Sequence, residues 1–536
     1  MRYMKKWTAL LMAMAVGVSA LAGCGSQNGA KESTSSEQKT ESGQESEQST
    51  ETVQESTTEE EDPYLTGEKP VLNILFYNQT YDMNADAAKE IMEEITGYEV
   101  VYHNLPAENA SEKLMLEIAS GAEYDMIYRC KVKDYRELVS QNAAMDITEL
   151  LNKYGSEVLQ NVGELDWSMV TDENGVITGM PYPGNQQPAD SLYGFFAGGI
   201  AFRSDVLEEL GKELPDTIDE FYDVLVAYKE KTGNAGLTMK GTGIQAAISS
   251  AFGFGDCEWY EVDGELVNRI RLDGFKDYIA FMQKLYAEGL LDNDMPINAS
   301  KNCREKFANN TALCMPMNFW DIPTIKSAME VNNPDAKAVF SVALAADEDT
   351  NAFVSIANGA SEICVIPKTA KNPEHAMIWY NIISNAENCK SIYIGEEGVS
   401  YEVIDGEYYP IFPAFDNYTN SDKYTGSVNG GEMKKQWMAR ARKTTEMAEA
   451  FEQMNENADS GRYDRYDSIE KYATNLPAIT EYATSLNSAI NDIIVAGIVE
   501  GGDAQAVVDK VIETWERDGG LECEKEINEW YVEFNK

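Results

Sequence analysis

Histidine is nearly absent. The 536 residues hold two, His103 and His375, so a His-based catalytic triad or a His-rich metal site is hard to build. Cysteine occurs eight times without a single C-x-x-C pair, which argues against a structural zinc site. With Cys24 set aside, seven remain, at 130, 257, 303, 314, 364, 389 and 523. An odd number suits no disulfide framework, and these read as small buried hydrophobes. Neither G-x-x-x-x-G-K-[ST] nor G-x-S-x-G is found, so the chain writes neither a nucleotide-binding loop nor a nucleophile elbow. Basic residues are scarce: 43 Lys and Arg face 91 Asp and Glu, a formal charge of -48. Such a chain is repelled by nucleic acid and by anionic lipid, and disfavours a strongly anionic ligand unless local basic residues overcome the field. Beyond the first two dozen residues no apolar run is long enough to span a bilayer. The best, Ile490 to Val499, is short and holds Asn491 and Asp492. No internal repeat is found.

What is present begins at the N-terminus. Arg2, Lys5 and Lys6 precede a short apolar run from Trp7 to Ala22, the layout of a signal peptide. The run ends in Leu21-Ala22-Gly23-Cys24, which resembles the bacterial lipobox. That resemblance implies cleavage before Cys24 and acylation of its thiol, with two or three acyl chains giving a stable anchor in the lipid bilayer. The alternative is an ordinary signal peptide that happens to contain a Cys. Residues 24–66 are mostly Ser, Thr, Glu and Gln, with almost no apolar residue. Between Gly25 and Pro70 twelve acidic residues stand against three lysines. The expectation is a disordered acidic tether, with a reach of roughly 35 Å. It is similar to the tethers of Gram-positive surface lipoproteins, which places the chain at the extracellular face of the cell membrane.

About 470 residues follow, more than one small domain needs, so two lobes are the default. Val71 to Asn78 reads as a buried strand. Residues 84–96 read as a helix with Asn84 as N-cap and Gly97 as stop. Tyr98 to Leu105 is a second strand. Asn109, with Glu112 three residues on, opens a helix that ends at Gly121. Tyr124 to Tyr128 is a third strand. This alternation predicts an α/β fold with a parallel sheet. It resumes with a strand at Gly199–Arg203, a helix at Ser204–Leu210, a capping box at Thr217-Ile-Asp-Glu220 and a helix at Phe275–Glu288. Short strands are expected at 312–317, 338–343 and 363–367, and a helix from Asn372-Pro373. From Glu432 onward the chain reads as mostly helical.

Gly199-Ile-Ala-Phe-Arg203-Ser-Asp205 through Gly211, then Leu214-Pro215-Asp-Thr217-Ile-Asp-Glu220-Phe, resembles a signature stretch of extracellular solute-binding proteins of the carbohydrate ABC-importer class. Ser120-Gly121-Ala-Glu-Tyr-Asp125, Gly179-Met-Pro181-Tyr182, Ala287-Glu-Gly289-Leu-Leu-Asp292, Pro316-Met-Asn-Phe-Trp320 and Gly395-Glu-Glu-Gly398-Val-Ser-Tyr401 agree in order. The set is most like the large lipoprotein sugar-binding group of Firmicutes. The resemblance implies a two-lobed periplasmic-binding-protein fold of type II with a helical C-terminal part. Lobe 1 would comprise 67–186 and 345–420, and lobe 2 would comprise 187–344 and 421–536. It implies a monomeric receptor that closes on an oligosaccharide and delivers it to ABC permease subunits, with no cofactor and no enzymatic activity. Its energy-coupling subunits would be separate chains.

A sugar site needs aromatic platforms and polar hydrogen-bonding edges. Strand ends and segments crossing between lobes supply the candidates: Asn78, Gln79 and Tyr81 after the first strand, Tyr128 and Arg129 at the third, Tyr182 and Tyr193 in the first crossing. Trp259 lies in an aromatic loop from Asp256 to Tyr260. Trp320 and Asp321 match the position where the resembled family often places a stacking Trp. Asn358 precedes a returning strand, and Tyr401 sits in a Gly-rich turn. Each has a structural alternative: an aromatic in the core, Arg129 paired with a carboxylate, Asn78 as a turn-former, Tyr401 as a brace. Trp167, Trp379, Trp437, Trp515 and Trp530 read as helical or core-facing. Two other functions compete. A peptide or other polar-solute receptor would use the same aromatics. A surface glycan-active enzyme needs two carboxylates flanking a bond, which 91 acidic residues cannot exclude by spacing. Adhesive surface proteins tend to be repetitive or β-rich, and this chain is neither. No metal is expected, since Asp172-Glu-Asn174-Gly175 lacks the ligand ladder of a calcium loop.

Overall fold

Strand β1, Leu72–Phe76, is buried on both faces, with Leu72, Ile74, Leu75 and Phe76 at most 3% exposed, as a strand at the centre of a covered parallel sheet must be. The computed structural model describes residues 62–76, 81–106, 109–182, 190–473 and 476–536. Cys24, the tether up to residue 61, and Asn78 and Gln79 lie outside them. On either side of β1 run β2, Val100–Asn104, and β3, Met126–Lys131, both parallel to it, with Leu72 opposite Val100 and Ile74 opposite Met126. β4, Met180–Tyr182, and β11, Glu362–Val365, complete the order β2-β1-β3-β11-β4. β11 is antiparallel to both β3 and β4. A chain segment from far along the sequence thus closes the first sheet.

The helices begin and end close to where local chemistry puts them, with two corrections. The first helix is Ala87–Thr96, and its N-cap is Asp86, whose carboxylate accepts from the N–H of Ala88 at 2.9 Å. Asn84 was expected in that role. Its amide instead brackets β2, accepting from the N–H of Tyr102 at 2.8 Å and donating to the Tyr102 carbonyl at 2.9 Å. Asn109 does stand before the helix Ala110–Ala119, but in the left-handed region (φ 57°) with no side-chain cap bond. A side-chain cap needs an extended backbone at that residue. The capping box at Thr217 forms: Glu220 N–H donates to Thr217 Oγ1 at 3.3 Å, and Thr217 N–H donates to Glu220 Oε2 at 3.1 Å, opening the helix Ile218–Thr232.

A second sheet has the antiparallel order β8-β5-β9, with β5 Gly198–Arg203 between β8 Cys314–Asn318 and β9 Ala338–Ser341. Its core contains Phe202, Phe221, Tyr228 and Tyr278. The C-terminal helices Pro477–Glu500, Ala504–Trp515 and Leu521–Phe534 join this core through Ile490, Ile494, Val511, Trp515 and Ile527. The first sheet has a separate core around Tyr128, Trp379 and Tyr380. Two α/β cores, each with its own sheet, make the chain two-lobed. Two hairpins, β6 Trp259–Val262 with β7 Glu265–Asn268 and β12 Tyr401–Ile404 with β13 Glu407–Pro410, add to the periphery. β10, Ala352–Ala357, pairs in parallel with β14, Tyr463–Ser468. β14 interrupts the stretch expected to be helical.

The seven described cysteines are all buried and unpaired. Among the described residues no helix is long and apolar enough to cross a membrane. In the turn at Asp172 the carboxylate is spent on the N–H groups of Asn174 and Val176, at 2.8 and 2.9 Å.

Candidate functional site

A cavity of about 630 Å³ lies at the ends of β5 and β8 and beside β10. Gly198 and Gly199 open β5 opposite Asn318 and Met317. A Cβ on Gly199 would fall 2.4 Å from the Ser341 carbonyl oxygen, so only glycine lets the three strands approach this closely at the cavity wall. After Asn318 the chain turns through Phe319–Asp321. Phe319 is 2% exposed and packs edge-on against Trp437 and Phe451, with centroids 5.8 Å apart in each case. Anchoring Phe319 inward turns its neighbour outward, and Trp320 stands 46% exposed on the cavity.

Polar groups ring this indole. Asp321 accepts from Arg304 Nη1 at 2.8 Å, Arg304 being supplied by the helix Ser300–Ala308. A partly exposed pair of this kind contributes little stability, but it holds a donor fork and a carboxylate in fixed places on the wall. Asp256 lies on the opposite loop. Its side chain is solvent-exposed, but desolvation by the surrounding wall raises its carboxyl above the usual range, and Arg269 partly offsets this. Lys240, Thr242, Gln245, Asn318 and Ser355 supply further hydrogen-bonding groups, and Phe195 and Phe353 apolar ones. Aromatic surface with a rim of donors and acceptors binds a polar solute that has apolar faces.

The sequence candidates fall into separate places. Trp320 and Asp321 line the cavity. Tyr193 lies two residues before the lining Phe195, with its hydroxyl donating to Glu452 at 2.9 Å. Arg129, Tyr182 and Tyr128 gather beside Thr425 on the first sheet. Arg129, at φ 55°, donates to Glu362 at 2.7 Å and to the Asp422 carbonyl at 2.7 Å, and lies 4.1 Å over the Tyr182 ring. Its Nε and Nη1 donors are therefore spent within the protein. The Tyr182 hydroxyl bonds Thr425 Oγ1 at 2.7 Å, and the ring is 8% exposed. Tyr128 is fully buried against Trp379 and Tyr380 and donates to the Thr425 carbonyl, so it is a core residue rather than a ligand platform. Tyr81 is half-buried near Asp86 and Asp422, and burial pushes its hydroxyl up.

Three candidates lie apart. Trp259 is 4% exposed, packed 6.2 Å from the Trp515 ring, because its loop turns into the β6–β7 hairpin that covers the second core. Tyr401 is 3% exposed against Tyr408 in the β12–β13 hairpin, where it braces the turn. Asn358 closes the β10–β14 ladder, with its N–H donating to the Ser468 carbonyl at 3.0 Å and its amide to Asp467 at 3.2 Å. The sequence reading passed over Phe195, Lys240, Gln245, Asp256, Arg304, Asn318, Phe353 and Ser355. Phe195, which ends the expected crossing from Pro181-Tyr182, and Asp256 and Asn318 stood inside stretches it singled out. Arg304, on a short polar helix, carried no signal.

Two α/β lobes, each with its own sheet and core, and a polar-aromatic cavity at the strand ends define a two-lobed binding protein of the periplasmic-binding-protein fold. The chain belongs to the family described as bacterial extracellular solute-binding protein, whose model matches residues 78–388. These are binding proteins and not enzymes. Lipoprotein LipO of Bacillus subtilis (strain 168) is 22% identical over 492 residues, covering 87% of this chain and 93% of LipO. Among solved structures, alginate-binding protein AlgQ2 without calcium ion superposes with a TM-score of 0.65 at 16% identity, covering 87% of this chain and 98% of that one. Substrate-binding protein FusA of the S. pneumoniae ABC transporter, in complex with kestose, gives 0.64 at 17% identity, covering 87% and 99%.

Proposed function

We propose that this chain is the membrane-anchored receptor of an ABC importer, capturing an oligosaccharide between its lobes and presenting it to separate permease subunits. The observation that carries this reading is Trp320, exposed on a cavity of about 630 Å³ and flanked by the Asp321–Arg304 pair. An indole face suits a sugar ring, and a fixed carboxylate and guanidinium suit its hydroxyls. The volume falls within the range of about 300–1,000 Å³ expected of small-molecule sites. The names of the relatives agree: AlgQ2 binds alginate, FusA was solved with kestose, and LipO is a lipoprotein, as the sequence around Cys24 suggests for this chain. The lobe limits we attach to the reading are those of the sequence, 67–186 with 345–420 and 187–344 with 421–536. Closure follows from differential contact. A ligand that touches both lobes only when they are closed shifts the population to the closed form.

Calorimetric titration of oligosaccharides and of short peptides into the purified chain tests the proposal. Saturable binding of a glycan that is recovered chemically unchanged supports it. Peptide binding with no glycan binding up to millimolar concentration moves the chain to the peptide-receptor reading, and turnover of the glycan refutes the receptor.

A further inference from the structure

The charge on the cavity wall narrows the ligand class, on the premise of the sugar-receptor reading above. Four lining side chains are formally charged: Lys240, Asp256, Arg304 and Asp321. They cancel. Arg304 is spent on Asp321 at 2.8 Å. Asp256 has a weaker compensation, because the guanidinium of Arg269 donates to the Asp256 main-chain carbonyl at 3.0 Å rather than to its carboxylate. The remaining polar lining, such as Thr242, Gln245, Asn318 and Ser355, is neutral.

The first sheet and the segment around Asp422 that packs on it add few free cations among the described residues. Arg129 is held by Glu362 at 2.7 Å, and Arg440 and Lys423 by Asp422 at 2.7 and 2.5 Å. Lys443, beside them, has its ammonium disfavoured by burial and by the charges of Arg440 and Lys423. Around all of this lies a chain of formal charge -48. An oligouronate brings one negative charge per sugar into that field, and among the described residues the cavity wall offers Lys240 but no cluster of unpaired cations to receive them. A site that recognises carboxylates does so with convergent, unpaired guanidinium or ammonium groups.

We propose that the cavity selects uncharged oligosaccharides and rejects oligouronates of the same length, with Asp256 as the rejecting group. An anionic sugar placed beside Asp256 meets like charge in a partly desolvated wall, whereas a neutral sugar offers its carboxylate hydroxyl donors.

The test is calorimetry on the full chain with neutral gluco- and manno-oligosaccharides and with oligogalacturonates of matched length, at low and at physiological salt. The expected result is a neutral ligand whose affinity changes less than about threefold with salt, and oligogalacturonates at least roughly a hundredfold weaker. Asp256→Lys, checked for folding by circular dichroism, is expected to gain at least about tenfold in oligogalacturonate affinity. Oligogalacturonate binding as tight as neutral binding in the parent overturns the proposal, as does a folded Asp256→Lys without that gain. Silence from both series overturns the sugar-receptor reading itself, which separates the two failures.

Discussion

Trp320 and Trp259 carry the same indole, yet one is 46% exposed and the other 4%. The difference comes from their neighbours. Phe319 buries itself against Trp437 and Phe451 and turns Trp320 outward, while Trp259 enters a hairpin that lies against Trp515. A sequence names the aromatic but not the direction in which its backbone points it. Arg129 teaches the same point for charge, since its Nε and Nη1 bond Glu362 and the Asp422 carbonyl. On this basis Trp320→Ala is expected to weaken glycan binding by about 1–3 kcal/mol, the worth of a buried aromatic contact in the complex. It should change unfolding free energy by no more than about 0.5 kcal/mol, since the free side chain is largely exposed. Calorimetry and urea unfolding read the two effects separately, and unchanged affinity in a folded variant removes Trp320 from the site.

Elements whose signals are local were legible. The Thr217–Glu220 box, the Gly97 and Gly211 stops and the apolar strands β1 and β5 stand where the sequence places them. β14 was not legible. Tyr463–Ser468 is a polar run, and its partner β10 lies more than a hundred residues earlier. Just after β14, Glu470 ties this return segment to β6 by accepting from the N–H groups of Glu258 and Trp259, both at 2.9 Å. Burial pushes its carboxyl up to about 7, partly offset by those backbone bonds. A carboxyl raised above its unfolded value contributes its stability below about pH 4.3 and loses it as pH rises through 7. Glu470→Gln keeps an acceptor and removes the charge. The variant is therefore expected to exceed the parent by about 1–3 kcal/mol at pH 8, with the gap closing toward pH 4. The adjoining cavity of about 280 Å³ favours the lower end through solvent screening. Urea unfolding at pH 4, 5.5 and 8 checks this, and a pH-independent difference would refute the assignment.

At the scale of the whole molecule, the proposed receptor function makes the equilibrium between open and closed forms the variable to measure. A ligand that binds the folded state alone adds about 2.7 kcal/mol to unfolding free energy at a hundred times its Kd. Saturation with a glycan identified by calorimetry is also expected to reduce the radius of gyration in small-angle X-ray scattering. A thermal shift with no change in radius would keep the binding and discard the closure.

The strands β1 and β5, the Thr217–Glu220 capping box and the acidic balance were determined by the sequence alone. Each is set by residues within a few positions of one another or by composition. The tertiary structure decided which aromatics face the cavity, that Tyr128, Trp259 and Tyr401 are buried, and that Arg304 meets Asp321. Those outcomes depend on packing between segments that the chain's local pattern does not encode. The shortage of basic residues becomes specific only when the fold shows Arg304 paired with Asp321 on the cavity wall, and Arg129 and Arg440 paired with Glu362 and Asp422.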